Sequence, residues 1–322
     1  MRTLSTTVKA LTCALFILTL SAVANAQAMS RTWVSGVGDD MNPCSRTLPC
    51  RTFMGAFVKT TDKGEIDCID PGSYGTVLLT KNITIDGKGT MASILATNTN
   101  GVVVNDTMMA TPQTIVVVLR NLTISGGGTG LDGIRFLGGK ALQVENCVIS
   151  GFGGNGTNSD GIDVALTGLA AGNQDVKVSN TLISNNTGAG IRASNTAAGG
   201  AVLVTVGASR FDANNIGFLS STSCSAQISN TDFTLHTDSG LSVGAGTLAV
   251  DVTASHFVSN ANGITSAAST TRIGGCSLLG NGVGINFTGG TVQSFGDNMV
   301  KGNFFNDQAG GAVVLVSAPV KI

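Results

Sequence analysis

The chain has 322 residues, of which 44 are glycine and only 11% are charged, and its formal net charge at pH 7 is −1. This balance provides no basic surface for nucleic acid or for an anionic membrane, so we expect neither as a partner. A chain this poor in charge and rich in glycine is either a solenoid or a disordered polar segment. The regular spacing of its apolar residues favours the solenoid.

The first 28 residues have the layout of an export signal. Arg2 and Lys9 supply positive charge, residues 10–20 form a short apolar core, and small residues at 24–28 provide a cleavage site. The apolar core is too short to span a membrane. We therefore predict that residues 1–28 are a signal peptide and that the mature chain is secreted or periplasmic, with no membrane span.

Residues 29–70 differ in pattern from the rest and are predicted to form an N-terminal cap. Phe53, Ala56 and Phe57 share one face of a helix, which predicts a short amphipathic helix. Such a helix would cover the open end of a stack of coils and hide its strand edges. Residues 64–69 follow as a predicted first strand.

From residue 71 to residue 303 the chain is a repeat with a period of 21 to 34 residues. Each copy contains an apolar residue and a second apolar residue five positions later. The first members of these pairs are Leu119, Val144, Val178, Val206, Ile228, Val252, Ile273 and Phe295. A glycine followed by a large apolar residue comes after the first seven pairs, at Gly133, Gly161, Gly190, Gly217, Gly240, Gly263 and Gly284. A period of about 20 to 50 residues is typical of stacked-repeat proteins.

The residues within each copy indicate which kind of stack forms. Valine, isoleucine, threonine and phenylalanine alternate with polar residues in runs of about five, without helical periodicity. We therefore predict an all-β fold, a single-stranded right-handed parallel β-helix (solenoid) over residues 71–303 with a short N-terminal capping helix. A leucine-rich solenoid is the alternative, but its asparagine-punctuated leucine pattern and helical half-repeat are missing. Residues 304–322 are predicted to add a C-terminal cap strand, or else an edge for self-association.

Asparagine recurs at one position of the repeat. Asn121, Asn146, Asn180 and Asn230 each lie two positions after the first apolar residue of a pair. Asparagine tolerates a left-handed backbone, and its side chain bonds to nearby backbone groups. We therefore expect a ladder of buried asparagines, with a structural role, at a tight bend.

The cysteines divide into two groups. Of the seven, Cys13 lies in the predicted signal peptide. Cys44 and Cys50 lie close together in the irregular cap, and we predict that they form a disulfide in an oxidising compartment. Cys147 and Cys276 share one column of the repeat five coils apart, which is about 24 Å and beyond disulfide reach. We expect both to be reduced and buried.

The candidate site for chemistry comes from aligning the glycine markers. In one coil Asp132 precedes the marker and Arg135 follows it. Asp160 and Asp163 take the same places in the next coil, and Arg192 follows the marker of the third. Because the large apolar residue of each marker should face inward, the residue after it should point outward, at about 5 Å from its neighbour on the next coil.

This alignment gives two sets of candidates. Arg135, Asp163 and Arg192 are catalytic candidates. Asp132 and Asp160 are candidates for a Ca²⁺ site, because adjacent carboxylates share a proton or hold a cation between them. The alternative is a solvated ladder of surface ion pairs, each worth under ~1 kcal/mol.

The two histidines have no partner that the sequence identifies. His256 precedes a phenylalanine that should face inward, so its own side chain should point outward, and His236 should lie in an exposed turn. The sequence shows neither a Ser-His-Asp order nor a nucleophile elbow.

Several N-terminal segments resemble a known signature. They are Trp33-Val34-Ser35-Gly36, Asp39-Asp40, Asn42-Pro43-Cys44, Pro49-Cys50-Arg51-Thr52-Phe53 and Asp70-Pro71-Gly72. The chain is similar here to a largely uncharacterised group of secreted bacterial right-handed β-helix proteins, which are related by fold to the pectin lyase superfamily. The resemblance covers most of the mature chain and implies the fold and export. It implies no activity, because the fold hosts lyases, hydrolases, epimerases and adhesins alike.

These observations predict a protein without a complete catalytic set. Polysaccharide lyases of this fold hold Ca²⁺ between acidic residues of neighbouring coils. Residues 158–161 resemble a polygalacturonase segment, but the downstream carboxylates and histidine of that family are missing. Trp33 and Tyr74 lie in the cap, where we expect them to cover the core.

We therefore expect a non-enzymatic surface-interaction or carbohydrate-associated protein without a cofactor. Its expected partner is an extracellular polysaccharide or a cell surface. The alternative is a Ca²⁺-assisted polysaccharide (uronate) lyase or epimerase that uses the aspartate and arginine candidates.

Overall fold

A computed structural model describes residues 28–167, 172–197 and 199–316 of the chain. Residues 1–27 of the predicted signal peptide and residues 317–322 of the predicted C-terminal strand lie outside these ranges. Within them the chain coils into a solenoid of three parallel β-sheets, and each coil adds a strand to each sheet in turn. Helix is limited, among the described residues, to the α-helix Phe53–Lys59 and the 3₁₀ helix Gly156–Asn158. The prediction of an all-β parallel solenoid is confirmed.

The three sheets are named in the order in which the chain enters them. Over the described ranges sheet 1 has 12 strands: Met29–Val34, Thr60–Cys68, Ile83–Asp86, Val116–Arg120, Ala141–Glu145, Gln174–Ser179, Val202–Gly207, Cys224–Ser229, Ala249–Thr253, Thr270–Gly274, Thr291–Ser294 and Val314–Leu315. Sheet 2 has 10 strands in the same ranges: Gly72–Ser73, Ala92–Leu95, Thr123–Gly130, Val148–Phe152, Leu182–Ser184, Arg210–Asp212, Asp232–Thr234, His256–Val258, Ser277–Leu279 and Met299–Val300. Sheet 3 likewise has 10 strands there: Val77–Leu79, Val102–Val104, Ile134–Phe136, Ile162–Leu166, Ala189–Asn195, Ile216–Ser220, Ser239–Val243, Asn262–Ser266, Val283–Phe287 and Asn306–Ala309.

Parallel pairing stacks equivalent residues of the repeat above one another. Val144, the first apolar residue of one copy, pairs with Val178 of the next. The inward positions are buried aliphatic and aromatic side chains, which form one continuous core along the solenoid. In sheet 2 the rings of Phe211, Phe233 and Phe257 stack with centroids 4.9 and 4.8 Å apart.

The glycine of each repeat is explained by the close approach of successive coils. A Cβ atom placed on Gly133 would lie 2.5 Å from the carbonyl oxygen of Gly161, and one on Gly161 would lie 2.7 Å from that of Gly190. A Cβ atom on Gly217 would lie 2.4 Å from the carbonyl oxygen of Gly240. Real Cβ atoms essentially never come within 3.0 Å of such an atom, so any side chain here would push the coils apart.

The column of asparagines found in the sequence lies at the bend between sheets 1 and 2. Asn121, Asn146, Asn180 and Asn230 have the predicted left-handed backbone, with φ between 49° and 56°. However, Asn121 is half-buried and the other three are exposed. The bend turns these side chains toward solvent, where Asn146 Nδ2 donates to Asn121 Oδ1 at 2.5 Å. The prediction that this column is buried is therefore wrong.

A buried ladder does exist, at the bend between sheets 2 and 3. This Asn/His ladder consists of Asn186, Asn214, His236, Asn260 and Asn281, all of them buried, on five successive coils. The backbone N–H of each of the first four donates to the ladder side chain of the next coil. Asn214 N donates to His236 Nδ1 at 3.1 Å, and His236 N donates to Asn260 Oδ1 at 3.0 Å. His236 therefore does not lie in an exposed turn, because its imidazole occupies the place of an asparagine amide.

The segments of the N-terminal signature hold the irregular region onto the first coils. Asp40 accepts hydrogen bonds from the backbone N–H groups of Arg51 and Thr52, at 2.8 and 2.9 Å. Asp70 accepts one from the backbone N–H of Gly36, at 2.7 Å. Charge-assisted bonds of this kind are about twice as strong as neutral ones. Asp40 and Asp70 of the signature therefore have a structural role.

The α-helix Phe53–Lys59 begins where the sequence predicts a helix. The Thr52 hydroxyl accepts a hydrogen bond from Gly55 N at 2.9 Å and so caps its N-terminus. The helix buries Phe53, Ala56 and Phe57 and packs against three strands: Met29–Val34, Thr60–Cys68 and Val77–Leu79. Its role as a cap stays a prediction. No helix in the described part of the chain is long and apolar enough to cross a membrane.

Cys44 and Cys50 are joined by a disulfide in the irregular N-terminal region, with their Cα atoms 4.6 Å apart. The other cysteines of the described ranges are free and buried: Cys68, Cys147, Cys224 and Cys276. Burial raises the pKa of the Cys147 thiol to about 11 and that of the Cys224 thiol to about 12. These thiols therefore stay protonated and unreactive at neutral pH.

The last described strands continue the solenoid. Asn306–Ala309 pairs in parallel with Val283–Phe287, and Val314–Leu315 pairs in parallel with Thr291–Ser294. As far as residue 316, the predicted C-terminal cap segment therefore adds strands to sheets 3 and 1.

Candidate functional site

Neighbouring strands of sheet 3 carry the charged residues that the sequence singles out. Ile134 pairs with Ile162, and Ile162 pairs with Ile191, and all three side chains are fully buried. In this register the residues that follow the isoleucines lie side by side on the outward face. These outward residues are Arg135, Asp163 and Arg192. Together with Asp132 and Asp160, the aspartates at the preceding bends, they form what we call the Asp–Arg cluster.

Asp160 is the most heavily bonded member of the cluster. Arg192 donates to both of its carboxylate oxygens, from Nε at 2.6 Å and from Nη2 at 3.2 Å. The backbone N–H of Ala189 also donates to Asp160 Oδ1, at 2.5 Å. Burial alone would lower the pKa of Arg192, but the hydrogen bond and the charge of Asp160 outweigh it and raise the pKa. The bidentate pair therefore holds one charged guanidinium in a fixed position.

The rest of the cluster is less completely paired. Arg135 Nε lies 3.4 Å from Asp163 Oδ2, and Arg135 Nη1 lies 3.9 Å from Asp132 Oδ2. Among the described residues Arg135 Nε has no hydrogen bond of good geometry, although the atom is buried. Asp132 Oδ1 accepts the backbone N–H of Asp160 at 3.0 Å. A buried N–H without a partner is uncommon in proteins. Because this atom is buried, a solute can contact Arg135 only through the 37% of its side chain that is exposed.

The carboxylates of the cluster are buried rather than solvated. Their residues are exposed by 2% at Asp132, 1% at Asp160 and 8% at Asp163. The aspartates are therefore not solvated as a surface ladder would have them, because the bends pack them against the next coil. Asp132 and Asp160 each accept a backbone N–H at a bend, whereas Arg135 and Arg192 stay partly exposed. Burial, followed by the charges of Asp132 and Asp160, raises the pKa of Asp163 to about 6. A carboxyl group that exchanges its proton near neutral pH is suited to general acid–base chemistry.

A groove at the N-terminal end of sheet 1 is the second candidate site. It has a volume of about 410 Å³ and is lined by residues that include Arg31, Trp33, Arg46, Glu65, Asp67 and Lys88. We call it the Trp33 groove. Trp33 is half-buried, whereas Thr32 and Val34 on either side of it are fully buried. Strand alternation therefore turns the indole outward into the groove.

Charged side chains of both signs surround the indole. The Arg31 guanidinium lies 5.9 Å from the centre of the Trp33 ring. Its Nη2 lies 3.2 Å from Glu65 Oε1, and its Nε contacts Asp67. Burial, together with the neighbouring Asp67, raises the pKa of Glu65. The groove thus combines an apolar ring face with hydrogen-bond donors and acceptors.

Residues 77–253, more than half of the chain, match the family described as the right handed beta helix region. The chain belongs to this family. No curated protein sequence matches it. Among solved structures it is similar to pectate lyase Pel9A, with 14% identity, 85% of this chain and 80% of that chain covered, and a TM-score of 0.44. It is also similar to the GH136 lacto-N-biosidase from Eubacterium ramulus, with 11% identity, 89% and 68% of the two chains covered, and a TM-score of 0.44. At these identities the likeness concerns the fold alone.

The Ca²⁺ site considered for this β-helix protein has few ligands available. Within the described ranges no group of three or more His, Cys, Asp or Glu side chains is arranged to hold a metal ion. Oδ1 of Asp132 and of Asp160 already accepts a backbone N–H, and Arg192 neutralises Asp160. Ca²⁺ takes about six to eight oxygen ligands, so these carboxylates would have to release their present partners to bind it.

From the sequence, Trp33 and Tyr74 were both expected to cover the core of the β-helix. Tyr74 is fully buried, but Trp33 lines the groove instead. The signal was present in the sequence, because Thr32 and Val34 alternate with Trp33 in a strand of the cap. The Asn/His ladder also had a signal: four of its five members are asparagines three or four residues before a glycine marker.

Proposed function

We propose that this β-helix protein is an exported carbohydrate-binding protein that holds an extracellular polysaccharide in the Trp33 groove and does not react with it there. The observation that carries the proposal is an outward indole in a groove of about 410 Å³, a volume within the range of about 300–1,000 Å³ typical of ligand sites. The C–H face of a sugar ring packs on an aromatic ring, while its hydroxyls bond to charged groups nearby. Arg31, Glu65 and Lys88 provide such groups.

Two further features support export and the N-terminal architecture. The disulfide Cys44–Cys50 is the kind of bond that persists in oxidising compartments, in agreement with a signal peptide at residues 1–28. We also infer that the helix Phe53–Lys59 caps the stack, because its buried face packs on the first strands of the solenoid.

The groove is tested by polysaccharide binding of the folded mature chain. In affinity electrophoresis against a panel of neutral and acidic polysaccharides, we expect at least one to retard the wild type. Trp33→Ala should weaken that interaction about 10-fold, which corresponds to ~1.4 kcal/mol. Trp33→Phe should retain most of it, because an aromatic face remains.

Gln227→Ala is the control for this test, since Gln227 lies on sheet 1 and is exposed far along the solenoid from the groove. It should bind as the wild type does. Circular dichroism of each variant separates loss of the ring from loss of the fold. The proposal is excluded if no polysaccharide retards the wild type, or if Trp33→Ala binds as tightly as the wild type.

A uronate lyase or epimerase at the Asp–Arg cluster is the second candidate function. The raised pKa of the buried Asp163, beside an incompletely bonded Arg135, favours it. In such a reaction Arg135 and Arg192 would hold the uronate carboxylate, and Asp163 would take the proton next to it. The three aspartates of the cluster are not arranged to hold a metal ion together, so this candidate rests on the guanidinium groups more than on Ca²⁺.

The two functions predict different results with polygalacturonate and alginate. With binding as the function, we expect no unsaturated product with or without Ca²⁺, and no saturable heat when Ca²⁺ is titrated into the wild type or into Asp160→Ala. Unsaturated product that forms with the wild type but not with Asp163→Asn would favour the second candidate function instead. Asp251→Asn is the matched control, because Asp251 pairs with Arg272 on sheet 1 with 44% of its side chain exposed.

A further inference from the structure

A row of polar residues crosses the outward face of sheet 2, away from both candidate sites. Arg210 pairs with Asp232, Asp232 pairs with His256, and His256 pairs with Ser277. The residue after each of them is a buried part of the core. Alternation along a strand therefore directs the four side chains outward, at about 4.8 Å from coil to coil. A carboxylate, an imidazole and a hydroxyl thus follow one another in that order.

His256 and Ser277 are in direct contact. His256 Nδ1 lies 2.6 Å from Ser277 Oγ. Backbone hydrogen bonds fix both residues: His256 N donates to Thr231 O, and Ser277 N donates to Ser255 O, each at 3.0 Å. The histidine is exposed and the serine is half-buried, so a solute can reach the pair.

We propose that Ser277 is a nucleophile for acyl transfer, with His256 as its general base. A nucleophile within about 2.6–3.2 Å of a base is the arrangement that activates a hydroxyl for acyl transfer. Ser277 Oγ attacks the carbonyl carbon of an ester, and its proton passes to His256 Nδ1. The ester C–O bond then breaks, and the leaving alcohol takes that proton. Water hydrolyses the acyl-serine by the same path and releases the acid.

The position of the row indicates the class of substrate. His256 and Ser277 lie on an open sheet rather than in a closed pocket, so the ester must be accessible from a wide surface. An O-acyl ester carried along an extended polymer meets that condition. The sequence alone does not reveal the site because His256 and Ser277 are 21 residues apart. This separation equals one period of the repeat, so the two residues come together only once the coils stack.

A fluorophosphonate probe tests the nucleophile directly. We expect the folded wild type to form an adduct that mass spectrometry locates at Ser277, and to hydrolyse p-nitrophenyl acetate. Ser277→Ala should abolish both. His256→Gln should lower the labelling rate at least about 100-fold, because a positioned general base contributes roughly 10²–10⁴.

Ser242 provides the matched control. It is a half-buried outward serine on sheet 3, paired with Leu219 and Thr265 and without a histidine beside it. Ser242→Ala should leave labelling unchanged, and Ser242 itself should carry no adduct. The proposal is overturned by the absence of an adduct at Ser277, by the absence of ester hydrolysis, by labelling of His256→Gln at the wild-type rate, or by equal labelling of Ser242.

Discussion

Gly217→Ala should destabilise the solenoid by about 3 kcal/mol. A Cβ atom at this position would lie 2.4 Å from the carbonyl oxygen of Gly240 and 2.5 Å from Cδ1 of Phe233. It would also lie 2.7 Å from Nε2 of His236. The carbonyl belongs to the next coil, and the phenylalanine ring stacks between two others, so neither can move without opening the core.

Gly207→Ala is the control that separates this clash from an ordinary effect of removing glycine. A Cβ on Gly207 would meet only Ser229 Oγ, at 3.8 Å, and its φ is not left-handed. Alanine in a compatible strand position should change stability by under about 1 kcal/mol. Urea unfolding followed by circular dichroism measures both variants. Equal midpoints for the two would show that the coils tolerate a side chain at the glycine marker.

The stacking of coils was predictable from the sequence for a simple physical reason. In a parallel solenoid, residues one repeat apart become neighbours in space, so aligning the repeats also aligns the contacts. The register of Arg135, Asp163 and Arg192 follows from this, and so does the left-handed backbone at Asn121 and Asn146. Alternation along each strand then determines which side chains point into the core and which point outward.

The bends were not predictable in the same way. Alternation with a period of two applies to strands, whereas the direction of a side chain at a bend depends on the local φ and ψ. Asn146 was therefore expected inside and is exposed, and His236 was expected outside and is buried. Asp132 and Asp160 also lie at bends, which is why the burial of the Asp–Arg cluster could be seen only in the structure.

His236→Asn should stabilise the protein, and the gain should increase as the pH falls. In the folded state burial lowers the pKa of His236 from 6.5 to about 4. The unfolded chain takes up a proton between these pH values that the folded protein does not. The wild type therefore loses free energy of unfolding as the pH falls through this window. At pH 4.5 this loss amounts to about 2.5 kcal/mol, whereas at pH 7.5 it is close to zero.

Asparagine should also improve the ladder at neutral pH. Among the described residues His236 Nε2 has no hydrogen-bond partner. The amide of Asn260, in the next coil, donates from Nδ2 to Phe233 O at 3.0 Å and to Asn281 Oδ1 at 2.9 Å. An amide at position 236 can make the equivalent bonds, each worth about 1 kcal/mol. Urea unfolding at pH 7.5 and pH 4.5 separates this constant gain from the gain that depends on pH.

Each variant must be compared with the wild type at the same pH, because Asp163 titrates in the opposite sense. Its folded pKa of about 6 lies above its ordinary value of 3.8, so it adds free energy of unfolding as the pH falls between these values. If His236→Asn gives the same change in stability at both pH values, then His236 is not held neutral in the folded protein, and the ladder does not account for its burial.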